Sequence, residues 1–141
     1  MGIGHSKSAA ATPAFALIAE GWNELVQEGL TPDLRADWQG GANSQVLYAD
    51  RDEDREIVGV LCFVVDDATQ HLTVTLAYVE PTSRRQGVYR ELWSELLHRA
   101  AELKAARVTL AVHVDNVVMH EVMKRLGQPV VGLTYETFVV A

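Results

Sequence analysis

The stretch Val79-Glu80-Pro81-Thr82-Ser83-Arg84-Arg85-Gln86-Gly87-Val88-Tyr89 leaves an alternating apolar segment and opens an amphipathic one. It reads as a loop between a strand and a helix, and its chemistry is that of an anion site. A helix N-terminus leaves about four N–H donors unpaired and carries a partial positive charge. Gly87 admits a phosphate close to the backbone, because no Cβ stands in the way. A charge-assisted N–H bond is worth about 1.5–3 kcal/mol, so several in a row outweigh one exposed, flexible arginine. The backbone is therefore expected to be the main ligand, with Arg84 and Arg85 assisting. Other phosphate motifs fail on spacing: there is no Walker loop with its Lys-Ser/Thr, and no dinucleotide fingerprint with three glycines in six residues.

Periodicity on either side of this loop gives an element order. Phe15, Ile18, Ala19, Trp22, Leu25 and Val26 follow helical spacing, with Thr12 and Pro13 at the start and Gly29 at the end. Thr31-Pro32-Asp33 opens a short second helix that Gly40-Gly41 breaks. Ser44 to Ala49 and Ile57 to Val65 read as strands, the second apolar enough to be buried on both faces. The charged run from Asp50 to Glu56 between them is a solvated turn. His71 to Val79 alternates, with Leu72, Val74, Leu76 and Tyr78 expected on one face and His71, Thr73, Thr75, Ala77 and Val79 on the other. A helix from about Val88 to Lys104 is expected to bury Leu92, Leu96, Leu97, Ala100 and Leu103. A strand from Arg107 to Asp115, a helix from Asn116 to Leu126 and a strand from Leu133 to Val140 complete the chain. Three hairpin-joined strands feeding a strand–helix–strand crossover imply an α/β (α+β) fold, a mixed sheet with helices on its faces.

The 141 residues suit one domain, and 48% hydrophobic with 22% charged residues is ordinary for a soluble globular chain. We expect residues 1–12 to be a flexible N-terminal segment and 13–141 a single domain. The small apolar run from Ala9 continues as an amphipathic helix rather than as a secretory leader. A net charge of -7 argues against a nucleic-acid coat. No apolar run reaches the ~20 residues of a membrane span. The single cysteine, Cys62, excludes an intrachain disulfide and a Cys-rich zinc site, so the expected compartment is the cytoplasm. No pair among the five histidines has metal spacing with a third ligand nearby, so no metal is expected.

The loop resembles the coenzyme A diphosphate loop of the GNAT superfamily of acetyl-CoA-dependent N-acetyltransferases, approximately V-x-P-x-x-R-x-x-G-x-G/A. Val79, Pro81, Arg84 and Gly87 fall in register, while Tyr89 stands where the family has a small residue. The family's later motif, N-x-x-A-x-x-x-Y-x-x-x-G-F, is matched by Asn116, Leu126 and Gly127. Met119, Met123 and Gln128 replace its alanine, tyrosine and phenylalanine. The resemblance implies a mostly antiparallel sheet of about six strands, with a coenzyme A wedge between the fourth and fifth. It implies acetyl-CoA as acyl-donor co-substrate, bound by Tyr78, Val79, Arg84, Arg85, Gln86, Gly87, Val88, Tyr89 and Asn116.

The resemblance further implies direct attack by a primary amine in a ternary complex, the acceptor being a small molecule, peptide or protein; a homodimer is among the expected states. Proton transfer would fall to His113 first and His71 second, with Tyr135 on the last strand as a third candidate. Met123 cannot donate a proton as the family's tyrosine does. Acceptor selection would come from Trp22, from residues 30–41 with Trp38, and from residues 128–134. The alternative is a non-catalytic acyl-CoA-binding or interaction module on the same fold.

Overall fold

A computed structural model describes residues 1–30 and 44–132. Its strands are β1 (Gly2–Ser6), β2 (Ser44–Asp50), β3 (Ile57–Asp66), β4 (His71–Val79) and β5 (Arg107–Leu110). Its helices are α1 (Phe15–Gln27), α2 (Val88–Glu102) and α3 (Val117–Arg125). The five strands lie in chain order across one sheet. β1 to β4 are antiparallel neighbours, and β5 runs parallel to β4. That parallel pairing needs a long crossover, which α2 supplies.

The helices cover opposite faces. Leu17 and Ile18 of α1 pack with Val46, Val60, Cys62, Leu76 and Tyr78. Val88, Leu92, Trp93, Leu96 and Ala100 of α2 pack with Leu47, Leu61, Phe63, Leu72 and Val74. Two glycines permit the close approach. A Cβ on Gly59 would lie 2.5 Å from Val88 Cγ1, and one on Gly21 would lie 2.8 Å from Tyr78 Cγ. The first turn of α2 is thus seated directly on β3.

β4 departs from strict alternation. Cys62 faces Leu76 and Phe63 faces Val74, so Thr75 has no opposite residue and forms a bulge. Leu72 and Val74 therefore point to the α2 side, whereas Leu76 and Tyr78 point to the α1 side. The expected single face of Leu72, Val74, Leu76 and Tyr78 is corrected accordingly. Pairing with β5 also ends there, at Val74 and Leu110. From Thr75 onward β4 has an open edge among the described residues.

Other expectations change. The N-terminal residues expected to be flexible include β1, which pairs with β2 from Gly2–Asp50 to Ser6–Val46. Glycine lowers strand propensity, which hid β1 in the sequence. In the fold, Gly4 makes room for the Tyr48 ring, whose Cζ would lie 2.2 Å from an added Cβ. In α1 the buried residues are Leu17, Ile18 and Gly21, and Phe15 is exposed. In α2 Trp93 is buried while Leu97, and Leu103 just past its end, are exposed. β5 stops at Leu110 rather than reaching Asp115. The expected helix after Thr31 and the strand over Leu133–Val140 lie outside the described residues. Trp38 and Tyr135 lie there too.

Substituting Gly59→Ala should cost about 1–3 kcal/mol, because the methyl meets Val88 in a packed interior. Urea denaturation checks this, and the double variant with Val88→Ala should recover part of the loss.

Candidate active site

The loop after β4 is built by its own side chains. Glu80 N–H bonds the Val58 carbonyl at 2.9 Å, continuing the ladder by one residue. The Glu80 carboxylate accepts the Ser83 hydroxyl at 2.8 Å and the Thr82 hydroxyl at 3.0 Å, and lies 3.6 Å from Arg51. Ser83 is buried, in a single 3-10 turn over Pro81–Ser83. Gln86 Nε2 donates to the Thr82 carbonyl at 3.3 Å. These bonds hold the loop without using the amides that follow.

Those amides are the main feature of the site. None of the N–H groups from Arg85 through Arg90 finds an acceptor among the described residues; the first helical bond runs from Glu91 N–H to the Gly87 carbonyl. Arg85 and Gly87 both adopt left-handed backbone, at φ 64° and φ 81°. Left-handed residues within such a run gather successive N–H groups into a concavity that suits an anion. Gly87 is required for its φ: a Cβ there would touch nothing within 4 Å. The space before the amides is open. Arg85 and Arg90 are exposed and have no ion-pair partner among the described residues.

Tyr89 does not obstruct this concavity. Its ring packs against the α2-side core, and its hydroxyl is buried with no hydrogen-bond partner among the described residues. Burial pushes its pKa upward. Val88 is buried beneath the loop on Gly59.

Arg84 serves differently from the expectation that it would assist an anion. Its Nε donates to the Val79 carbonyl at 2.9 Å, and a terminal nitrogen lies 3.1 Å from Glu24 Oε1. The guanidinium sits 5.4 Å from the centroid of the Tyr78 ring. Tyr78 also donates its hydroxyl to Glu24, and burial followed by that bond pushes its pKa upward. Burial acts to raise the Glu24 pKa, but the bonds from Tyr78 and Arg84 outweigh it and leave the carboxylate below its ordinary range. Sequence reading missed Glu24, since nothing in the sequence around a helical glutamate marks a partner sixty positions away.

The proton-transfer candidates are not gathered together. His71 bonds Thr109 of β5 at 3.1 Å, near the start of β4. It lies four residues, or about 13 Å along the strand, from the bulge where the edge opens. His113 lies beyond the end of β5, where its Nδ1 accepts the Asp115 N–H at 3.1 Å. That bond engages the Nδ1 lone pair and places the proton of the neutral ring on Nε2. The side chain of Asn116 caps α3 by accepting Met119 N–H at 3.1 Å. Met123 packs against the α2-side core. Cys62 is buried, which pushes its thiol up to about 12, so it is not a nucleophile at neutral pH. No group of three or more metal-ligating side chains occurs among the described residues, and no helix there is long and apolar enough to cross a membrane.

Replacing Tyr89 by Phe removes a buried hydroxyl without a partner and should stabilise the fold by about 1 kcal/mol, read by thermal or urea unfolding. Because the folded pKa of Glu24 is depressed, its contribution to stability is present above the ordinary value of 4.5 and is lost as pH falls below it. Glu24→Gln should therefore lose less stability than the parent between pH 6 and pH 3.

The comparisons agree with this geometry. A family model described as Acetyltransferase (GNAT) family matches residues 13–128. No curated protein matches the chain. Among solved structures, a mutant of a Bacillus halodurans protein superposes with a TM-score of 0.75 at 16% identity, covering 99% of this chain and 100% of that one. An aminoglycoside N-acetyltransferase in complex with CoA gives 0.69 at 12%, covering 99% and 100%. A ribosomal-protein-alanine N-acetyltransferase from Brucella melitensis gives 0.68 at 15%, covering 100% and 99%. The open edge after Thr75, the unpaired amides ahead of α2 and the family match over most of the sequence lead to one conclusion: this chain belongs to the GNAT acetyltransferase family.

Proposed function

We propose that this protein is an acetyl-CoA-dependent N-acetyltransferase that passes the acetyl group directly to a primary amine of a small molecule, peptide or protein. The observation that carries the reading is the run of unpaired amides from Arg85 through Arg90 at the start of α2. They receive the diphosphate, with Arg85 and Arg90 supplying screened positive charge. The open β4 edge beyond Thr75 lies on the way in for the pantetheine arm. Val79 and Ala77 rather than Tyr78 offer backbone groups there: the Glu80 N–H bonds Val58 of β3, so by alternation Tyr78 also turns its backbone groups to β3 and Ala77 and Val79 turn theirs away. A main-chain N–H on that edge stabilises the developing oxyanion when the amine nitrogen bonds to the carbonyl carbon. The carbon–sulfur bond then breaks, and the thiolate leaves, taking a proton from water.

With His71 engaged by Thr109 and His113 Nδ1 accepting the Asp115 N–H, the acceptor reacts as its free amine and water carries off the proton. These same engagements favour a second reading, a silent acyl-CoA-binding module. Free-thiol release against a panel of amines separates the two: release above background supports transfer, and binding without release for any amine supports the module.

Acetyl-CoA at a hundred times its Kd should add about 2.7 kcal/mol of stability, or roughly 5–11 °C in Tm. Gly87→Asp should abolish that shift by placing a carboxylate at the amides. Gly87→Asn, neutral and tolerant of left-handed backbone, should retain part of it. An undiminished shift in the aspartate variant would remove the loop from the account. For turnover, kcat/KM should rise with pH along the ionisation of the acceptor, and His113→Ala should keep that profile. A pH profile changed in shape by that variant would instead make His113 the base.

A further inference from the structure

The Val79–Glu80 peptide has its two polar groups pointing opposite ways, as a trans peptide must. The Glu80 N–H is spent on β3, so the Val79 carbonyl faces the open edge of β4. That carbonyl is not free: Arg84 Nε occupies it at 2.9 Å. The guanidinium is held in turn by Glu24, 3.1 Å from one carboxylate oxygen and 3.4 Å from the other. Glu24 also takes the Tyr78 hydroxyl, so one carboxylate on α1 fixes both the arginine and the ring beneath it.

We propose that Glu24 and Arg84 are positioning residues that close the last carbonyl of the β4 edge, and so set the register in which an acyl-pantetheine arm pairs with that strand. The proposal rests on the acyl-CoA reading above. With the Val79 carbonyl already accepting from Arg84 and the guanidinium lying against it, the next acceptor for an incoming amide is one step upstream, at Ala77, which shares the open side by strand alternation. The thioester is thereby held at a fixed distance from the loop. Moving Arg84 to the diphosphate would strip a partner from both Val79 and Glu24. Arg85 and Arg90 reach an anion without breaking any contact.

The test compares acetyl-CoA with acetyl-pantetheine, which lacks the diphosphate, by titration of the full chain. Arg84→Gln should weaken both ligands by the same factor, about tenfold, and leave the salt dependence of acetyl-CoA binding unchanged. Glu24→Gln, nearly isosteric, should follow it in direction and decides the matter where Arg84→Gln does not fold. Arg85→Gln should weaken acetyl-CoA alone. Weakening of acetyl-CoA alone by Arg84→Gln, with a flatter salt dependence, would make Arg84 a phosphate ligand and overturn the proposal, as would parental affinity for both ligands in Glu24→Gln. Failure of the parent protein to bind acetyl-CoA would instead remove the acyl-CoA reading, and this proposal with it.

Discussion

Backbone donors without acceptors, Arg85 through Arg90, are what the rest of this structure is arranged to hold in place. Water satisfies them in the free protein, and an anion of two or more charges replaces that water with stronger, charge-assisted bonds. Their direction is set from below. Gly59 lets Val88 sit on β3, so the first turn of α2 is anchored to the centre of the sheet rather than hung from a flexible loop. Glu80 and the buried Ser83 fix the approach from the other side. Preorganisation of this kind lowers the entropy lost on binding, which is where a single exposed arginine fails.

The second constraint is the extra residue at Thr75. A bulge bends its strand and increases the local twist, and here it coincides with the last pairing between β4 and β5. One inserted residue thus opens the sheet and moves Leu76 and Tyr78 to the face covered by α1. That placement brings the Tyr78 hydroxyl to Glu24 and the Tyr78 ring beneath Arg84, linking α1 to the loop across the end of β4.

Much of this was legible in the sequence. The strand–loop–helix reading of residues 79–89 located the amides, and hydrophobic period placed β2, β3, β4, α2 and α3 to within a few residues. What stayed hidden has physical causes. Period-two patterning assumes an unbroken strand, so it cannot detect the phase change at Thr75. Gly2 and Gly4 read as a loose start because their lack of side chains serves the neighbouring Tyr48 and Asp50 rather than their own propensity. Spacing reports neighbours along the chain and so places Arg84 beside the loop amides, whereas its partner Glu24 comes from a different helix. Strand position and side-chain chemistry single out His71 and His113 in the sequence. Their partners, Thr109 for His71 and the Asp115 amide for His113, are visible only in three dimensions.

The most direct measurement follows the backbone amides themselves, by nitrogen–proton correlation NMR and hydrogen exchange, as coenzyme A is added. The account predicts that Arg85 through Arg90 exchange freely in the free protein, then shift and become protected together in proportion to ligand bound. Unchanged shifts and exchange at these positions, with ligand bound elsewhere or not at all, would contradict it.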